Sequence, residues 1–254
     1  MNRVAHQPAY VLHHYDWSET SVIVEAFTRD YGRLALVANG AKRPSSYFRS
    51  VLLPLQPLFI AWGGKGEIRT LKSAEWGGGS VMPTGDALLS GYYVNELLLR
   101  MVAREDPHPR LFDAYAATVE SLASGGDGAL AAAALRAFEL VLLRDGGYLP
   151  ALDSEALTLA PLAARGRYAL LAERGLCAAP DAQQPALGSD DWLAFERAFA
   201  QDRPLDALAA VVRALAPADR AGLRQQLRQY LDGYSGGAPL RTRQLASELQ
   251  RFKR

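Results

Sequence analysis

The sequence predicts an α+β multidomain chain, a small five-stranded barrel followed by an α-helical domain. Three observations lead there. The first eighty residues hold five short apolar runs, each bounded by turn-forming residues. A glycine-rich break, "GGGSVMPTG" over 77–85, ends that pattern. Beyond it the apolar residues recur with helical rather than alternating spacing.

The five runs are "AYVLHHY" (9–15), "SVIVEAFT" (21–28), "RLALVA" (33–38), "LLPLQPLFIAW" (52–62) and "EIRTLKSAEW" (67–76). Asp16 and Ser18, Asp30 and Gly32, Asn39-Gly40, and Gly63-Gly64-Lys65-Gly66 supply the turns between them. Ile23, Glu25 and Phe27 alternate with Val22, Val24 and Ala26, the period of a strand. Pro54 and Pro57 cannot donate to a ladder, so the front half of the fourth run is an edge or a bulge. So many strands in so short a span leave no room for crossover helices, which implies a small antiparallel barrel. An OB-fold is the leading expectation and an SH3-like barrel the second.

Residues 1–80 are accordingly assigned to an OB-fold domain that binds nucleic acid, and 81–254 to the helical domain. Thr84 or Asp86 is available to cap the first helix. "DALLSGYYVNELLLRMVARED" is apolar on nearly every face, as a central buried helix would be. "PRLFDAYAATVESLAS" and "ALAAAALRAFELVLLRDGG" follow, the second ending at a Gly pair suited to a C-cap. The stretch 147–188 has no clear period and is expected to be an irregular insertion. Further helices are expected at 189–201, 204–215, 217–231 and 241–252.

Composition narrows the function. Apolar residues make up 49% and charged residues 22%, values of an ordinary globular chain. A single cysteine excludes an internal disulfide and any multi-cysteine zinc site, which fits a reducing compartment. "MNRVAHQPAYVLHHYDW" contains no apolar core of a signal peptide, and no helical stretch is apolar enough to span a bilayer, so a cytoplasmic protein is expected. Charge is unevenly distributed. Residues 1–80 carry nine Lys/Arg against six Asp/Glu, 81–219 eleven against nineteen, and 220–254 eight against two. Basic ends on an acidic middle point toward a polyanion.

No catalytic constellation is evident. His13 and His14 are adjacent on a strand and point to opposite faces, so they do not chelate one metal. "WGGKGE" lacks phosphate-loop spacing and lies between strands, where a hairpin turn explains it. The carboxylates of 81–219 follow no spacing rule and read as a solvated face. No cofactor and no metal are expected, and the chain is read as a non-enzyme.

Binding features are better represented. Arg33, Lys42, Arg43, Arg49, Lys65, Arg69 and Lys72 flank strand ends and loops, among Tyr10, Tyr15, Trp17, Tyr31, Tyr47, Phe48 and Trp62. Single-stranded nucleic acid requires such a mixture, cations for phosphates and ring faces for bases. Phe27, Phe59 and Trp62 are read as barrel core, whereas Tyr47 and Phe48, inside a basic loop with Ser45 and Ser46, are open between core and surface. Near the C-terminus Arg220, Arg224 and Arg228 draw one stripe down a helix, opposite Leu223, Leu227, Tyr230 and Leu231. Arg241 and Arg243 open the last helix, where cations oppose the helix dipole and an external anion would favour them.

The run from "AYVLHHYDWSETSVIVEAFTRDYGRLALVANGAKRPSSYFRS" through "LFIAW" resembles the N-terminal OB domain of the RecO family of bacterial recombination mediators. The likeness continues through "GYYVNELLLRMVARED", "LFDAYAATVESLA", "LRAFELVLLRDGGYLPAL" and "LRTRQL", and is weakest over 151–200. It implies a nucleoid-associated, non-enzymatic mediator of recombinational repair. Such a protein binds single- and double-stranded DNA, anneals complementary strands, contacts the C-terminal tail of single-stranded DNA-binding protein, and works with RecR to load RecA. The family's basic, serine-containing loop falls on Lys42, Arg43, Ser45, Ser46 and Arg49, and its glycine-arginine pair on Gly32-Arg33. The alternative is an interaction adaptor whose barrel binds a protein partner and touches DNA only weakly; an undetected metal-dependent nuclease is the third possibility.

Two further expectations follow from the resemblance. Some members hold a zinc with four cysteines in the helical domain, but here Ser154 and Leu157 stand near the first pair and only Cys177 remains, so no zinc is expected. The tail-binding site falls on Leu135 and Arg136, with Arg136 as the cation on the rim of an apolar pocket. Phe138 and Glu139 belong to the same run, and the spacing of Phe138 from Leu135 and Leu142 fits plain helix core.

Overall fold

A closed barrel in the strand order β1-β2-β3-β5-β4 forms the N-terminal part of the computed structural model, which describes residues 3–79, 82–125, 128–179, 184–236 and 238–252. The strands are β1 (Arg3–Asp16), β2 (Val22–Thr28), β3 (Gly32–Ala38), β4 (Leu58–Gly63) and β5 (Ile68–Trp76). This closure and order are those of the expected OB-type barrel. β1 starts earlier than expected because it serves two neighbours. Residues Ala9 to Asp16 run antiparallel to β2, and Arg3 to Ala9 run antiparallel to β4. Irregularities between Val4 and Gln7 and between Val11 and His13 bend the strand so that it can do both.

Two expectations need correction. The barrel is not wholly antiparallel, because β3 and β5 pair in parallel over Ala35–Val37 and Ile68–Thr70. The run 52–57 is not strand. A short helix, α1 (Tyr47–Val51), precedes it, and Pro54 makes only an isolated bridge to Val11. The prolines that demoted this segment ended it.

The inside of the barrel is filled by Val11, Val24, Ala26, Leu34, Leu36, Ile60, Trp62 and Leu71. Its outer wall is also covered. Tyr10 and Phe27 point outward and meet Phe112 and Tyr115, with ring centroids 4.9–6.1 Å apart. Those two rings come from α3 (Pro109–Ala123), which follows α2 (Gly85–Met101). Burial raises the Tyr10 hydroxyl to about 12, with Glu120 adding to the effect. Thr84 occupies the N-cap of α2 without a side-chain cap bond, and Asp86 lies in the first turn. Asn95 is buried in α2, where it donates to the Leu12 carbonyl at 3.1 Å and accepts from the Tyr115 hydroxyl at 2.7 Å.

The segment between α2 and α3 closes a gap. The β3–β5 pairing is short, and Arg104 forms a parallel bridge with Arg33 alongside it. The Glu105 N–H donates to the Arg33 carbonyl at 2.9 Å. Gly32 lets this segment approach, since a Cβ there would lie 2.1 Å from the Asp106 carbonyl oxygen, and its φ of +68° favours glycine.

The chain divides into two compact units, Met1–Gly125 with Leu245–Arg254, and Gly126–Gln244. In the second, α4 (Gly128–Asp145) ends at Gly146-Gly147 as expected, with Gly147 at φ +75°. The irregular stretch contains a three-stranded sheet of order β7-β6-β8, built from β6 (Arg167–Leu171), β7 (Gly175–Ala178) and β8 (Leu187–Gly188). Helices α5 (Ser189–Phe199), α6 (Pro204–Ala214) and α7 (Pro217–Tyr234) follow within two or three residues of the expected bounds, and α8 (Arg241–Phe252) runs over the expected residues.

Side chains tie the sheet to its surroundings. Gln226 accepts the Leu170 N–H at 2.6 Å, and the Trp192 indole N–H donates to the Tyr168 carbonyl at 3.0 Å. Glu196 accepts the Leu152 N–H at 2.8 Å and is held by Arg144 through two bonds of 3.0 and 2.8 Å.

Candidate nucleic-acid interface

The loop that leaves β3 has an anchored side and an open side. Ala41 is buried in the barrel core, as are Val51 and Leu52, and Phe48 packs half-buried against it. Lys42 fastens the loop to the turn between β1 and β2. Its N–H donates to the Thr20 carbonyl at 2.9 Å, and its Nζ donates to the Ser18 carbonyl at 2.9 Å and pairs with Asp16 at 2.7 Å. Backbone bonds from Arg43 to Gly40, from Ser46 to Arg43 and from Arg49 to Ser46 wind the rest into successive turns ending in α1. The apolar residues of the loop therefore face inward. Arg43, Ser45, Tyr47 and Arg49 face solvent, and the Tyr47 ring is 62% exposed.

An open cleft of about 460 Å³ lies between this loop and β5. Arg43, Ser45, Ser46 and Tyr47 line one side, and Lys72 and Glu75 line the other. Two cations, two hydroxyls and an exposed ring thus converge, although their positions in the sequence lie almost thirty residues apart. The cleft can accept an anion between Arg43 and Lys72 and a flat ring against Tyr47. Arg49 is exposed on α1 outside the cleft lining.

The other barrel cations have different surroundings. Arg33 is 15% exposed, pairs with Glu25 at 3.0 Å and donates from Nε to the Val102 carbonyl. Arg104 holds the second Glu25 oxygen, and Glu25 itself is 1% exposed. Arg69 pairs with Glu105 at 2.7 Å. Arg33 and Arg69 are therefore each held by a carboxylate, Arg33 sharing Glu25 with Arg104, and neither lines the cleft. Phe27, read from the sequence as barrel core, lies on the same outer face of β2 as Glu25, and the cover over that wall buries both. His14, half-buried, has its pKa lowered mainly by desolvation.

In the second unit Leu223, Leu227, Tyr230 and Leu231 form the buried stripe of α7, as expected, and Arg224 and Arg228 stand exposed opposite them. Arg220 is half-buried and donates to the Leu215 carbonyl at 2.9 Å. At the start of α8, Arg241 is exposed, while Arg243 pairs with Asp232 at 2.6 Å. In α4, Arg136 is 15% exposed and pairs with buried Glu139 at 2.7 Å; Leu135 beside it is half-buried. Phe138 is fully buried helix core. Among the described residues no group of His, Cys, Asp and Glu could hold a metal ion, and no helix is long and apolar enough to cross a membrane.

Sequence reasoning missed Asn39 and Glu75 as cleft residues, and it missed the structural duty of Lys42. Glu75 carried a faint signal, three positions after Lys72 on the last strand.

Comparison with known proteins bears on the whole chain. Residues 1–79 match the family described as Recombination protein O N terminal, and residues 82–244 match Recombination protein O C terminal. The chain is 56% identical over 252 residues to the DNA repair protein RecO of Variovorax paradoxus, with 98% of each chain covered. It is 58% identical over 248 residues to the DNA repair protein RecO of a Polaromonas species, again with 98% of each covered.

Proposed function

The chain belongs to the RecO family of DNA repair proteins, and from that premise we propose that it captures DNA strands on basic surfaces and anneals them without making or breaking a covalent bond. One observation carries the reading: the cleft that gathers Arg43, Lys72, Ser45 and the exposed ring of Tyr47 on a loop already fixed by Lys42. Cations take the phosphates, the ring takes a base, and neutralised strands can approach each other and pair. Arg49 lies beside this site, and Arg224 and Arg228 offer further contacts for single- or double-stranded DNA. Arg33, Arg69, Arg220, Arg241 and Arg243 join only where phosphate displaces their present partners.

The reading extends to partners. The C-terminal tail of single-stranded DNA-binding protein meets Leu135 and Arg136, which recruits the protein to coated strands. RecR and, through it, RecA complete the loading step. No cofactor takes part, and the place of work is the nucleoid in the cytoplasm.

The test is oligonucleotide affinity across a salt series. Each phosphate neutralised on a single strand adds roughly 0.7 to the magnitude of the log–log slope. Replacing Arg43, Arg49 and Lys72 by Ala should flatten that slope and leave the melting temperature nearly unchanged. A near-zero slope in the unaltered protein would favour the adaptor reading. One observation speaks for that alternative: Tyr15 and Trp17 expose large rings outside the cleft lining, a surface open to a protein partner. Arg136→Ala should weaken tail-peptide binding and spare naked DNA; equal loss of both would remove the pocket assignment.

A further inference from the structure

A cleft made only for phosphate has no use for a carboxylate. Glu75 nevertheless lines this one, opposite the basic loop, exposed on β5 where it pairs across the ladder with Phe59. Among the described residues its side chain makes no ion pair and no hydrogen bond, so Arg43 and Lys72 do not neutralise it. Arg29 in the same unit shows the other arrangement, fully engaged by Asp113 through bonds of 2.9 Å. An open carboxylate among cations repels phosphate unless something in the ligand offsets it. The ligand must bring a donor edge as well as an anion.

Among the four bases one edge fits. An ionised carboxylate accepts only, through two parallel oxygens. Unpaired guanine offers two adjacent donors, the ring N1–H and the exocyclic amino group. Cytosine and adenine each offer one donor next to an acceptor that the second carboxylate oxygen would repel. Thymine offers one donor flanked by two carbonyls. Asn39, also in the lining, has an amide that can donate to the guanine O6.

Resting on the DNA-capture reading above, we infer that the cleft between the 39–48 loop and β5 is a guanine subsite for single-stranded DNA. Glu75 accepts from the Watson–Crick edge of the base, the Tyr47 ring stacks on its face, and Arg43 and Lys72 hold the adjoining phosphates. The same chemistry excludes duplex, because in a base pair both donors are already given to cytosine. The carboxylate thus weakens indiscriminate phosphate binding and is compensated only by an unpaired guanine.

Fluorescence anisotropy of the full-length protein at fixed salt tests this, using short all-thymine strands with one central guest base. A guest guanine should tighten binding about fivefold or more, in the lower range of a good bidentate base contact, and guest adenine should leave it nearly unchanged. Glu75→Gln should abolish the guanine advantage, because an amide accepts through one atom and donates through the other and so suits the donor–acceptor edge of adenine instead. The all-thymine strand should be held at least as tightly as before because a negative charge has gone. Tyr47→Ala should weaken every strand by a similar factor. No guanine advantage in the unaltered protein, or an advantage that survives in Glu75→Gln, overturns the inference. Absence of binding to any strand, all-thymine included, instead overturns the DNA-capture reading itself.

Discussion

Arg33 Nη1 lies 3.0 Å from Glu25 Oε2, and the carboxylate it meets is buried on the outer wall of the barrel. The two residues stand diagonally across the β2–β3 ladder, since Glu25 faces Ala35 and Arg33 faces Phe27. Arg104 arrives from the segment after α2 to hold the second oxygen. Removing Arg33 leaves Glu25 with Arg104 alone, so one oxygen of a buried carboxylate and the Val102 carbonyl both lose their donor, at a cost on the order of 1–3 kcal/mol. Arg33→Ala should therefore lower the melting temperature clearly, whereas Arg43→Ala should leave it unmoved and weaken DNA binding. Thermal denaturation and anisotropy on the two variants separate these outcomes.

Gly32→Ala should loosen the segment that overlies β3. The new methyl would meet the Asp106 carbonyl, and alanine is strained at the positive φ besides, at a cost of about 1 kcal/mol or more. Hydrogen exchange reads this directly. The Glu105 amide, which donates to the Arg33 carbonyl, should exchange faster in the variant while amides in the middle of β2 keep their protection.

Asn95→Ala should destabilise the first unit by roughly 1–3 kcal/mol. Its amide is the bond shared by β1 and α3, reaching the Leu12 carbonyl on one side and the Tyr115 hydroxyl on the other. Truncation leaves both groups buried without that partner. Chemical denaturation of the variant checks the size of the loss, which should persist with Tyr115→Phe as the background only in part.

Acid should weaken the second unit through Glu196. The Arg144 guanidinium beside it, with the Leu152 N–H, holds its carboxyl below the ordinary value of 4.5 despite partial burial. Its folded pKa is depressed, so the stabilisation is fully present above the ordinary value and is lost as the pH falls through the depressed one. Glu196→Gln should be less stable than the parent at neutral pH, and the two unfolding curves should converge in acid.

Much of this fold was legible in periodicity. The helices from 189 onward show their apolar stripes plainly, and Leu223, Leu227, Tyr230 and Leu231 are buried as their spacing requires. The barrel strands were legible because Asn39-Gly40 and the glycines of 63–66 mark their ends. What stayed hidden has physical causes. The first strand runs on through His6 and Pro8, and bulges erase the alternation that would announce it. The sheet within 147–188 is tied down by Gln226 and Trp192, and the segment before it by Glu196, side-chain bonds that leave no period. At the site, the basic loop and Tyr47 were visible as residue types. That Arg33 and Arg69 serve carboxylates, while Lys72 and Glu75 share a cleft with the loop, depends on tertiary neighbours that local spacing does not encode.

The short strap of residues 102–106 has a consequence for dissecting the gene. A fragment stopped at residue 80 would keep every barrel strand yet lose Arg104, Asn95, Phe112 and Tyr115. Tyr10 and Phe27 would be bared to water, Glu25 would keep a single counterion, and the start of β3 would become an open edge of the kind that recruits other chains. Such a truncation should clump on expression, while one carried through to residue 125 should stay dispersed. The smallest manageable piece of this protein is larger than its barrel.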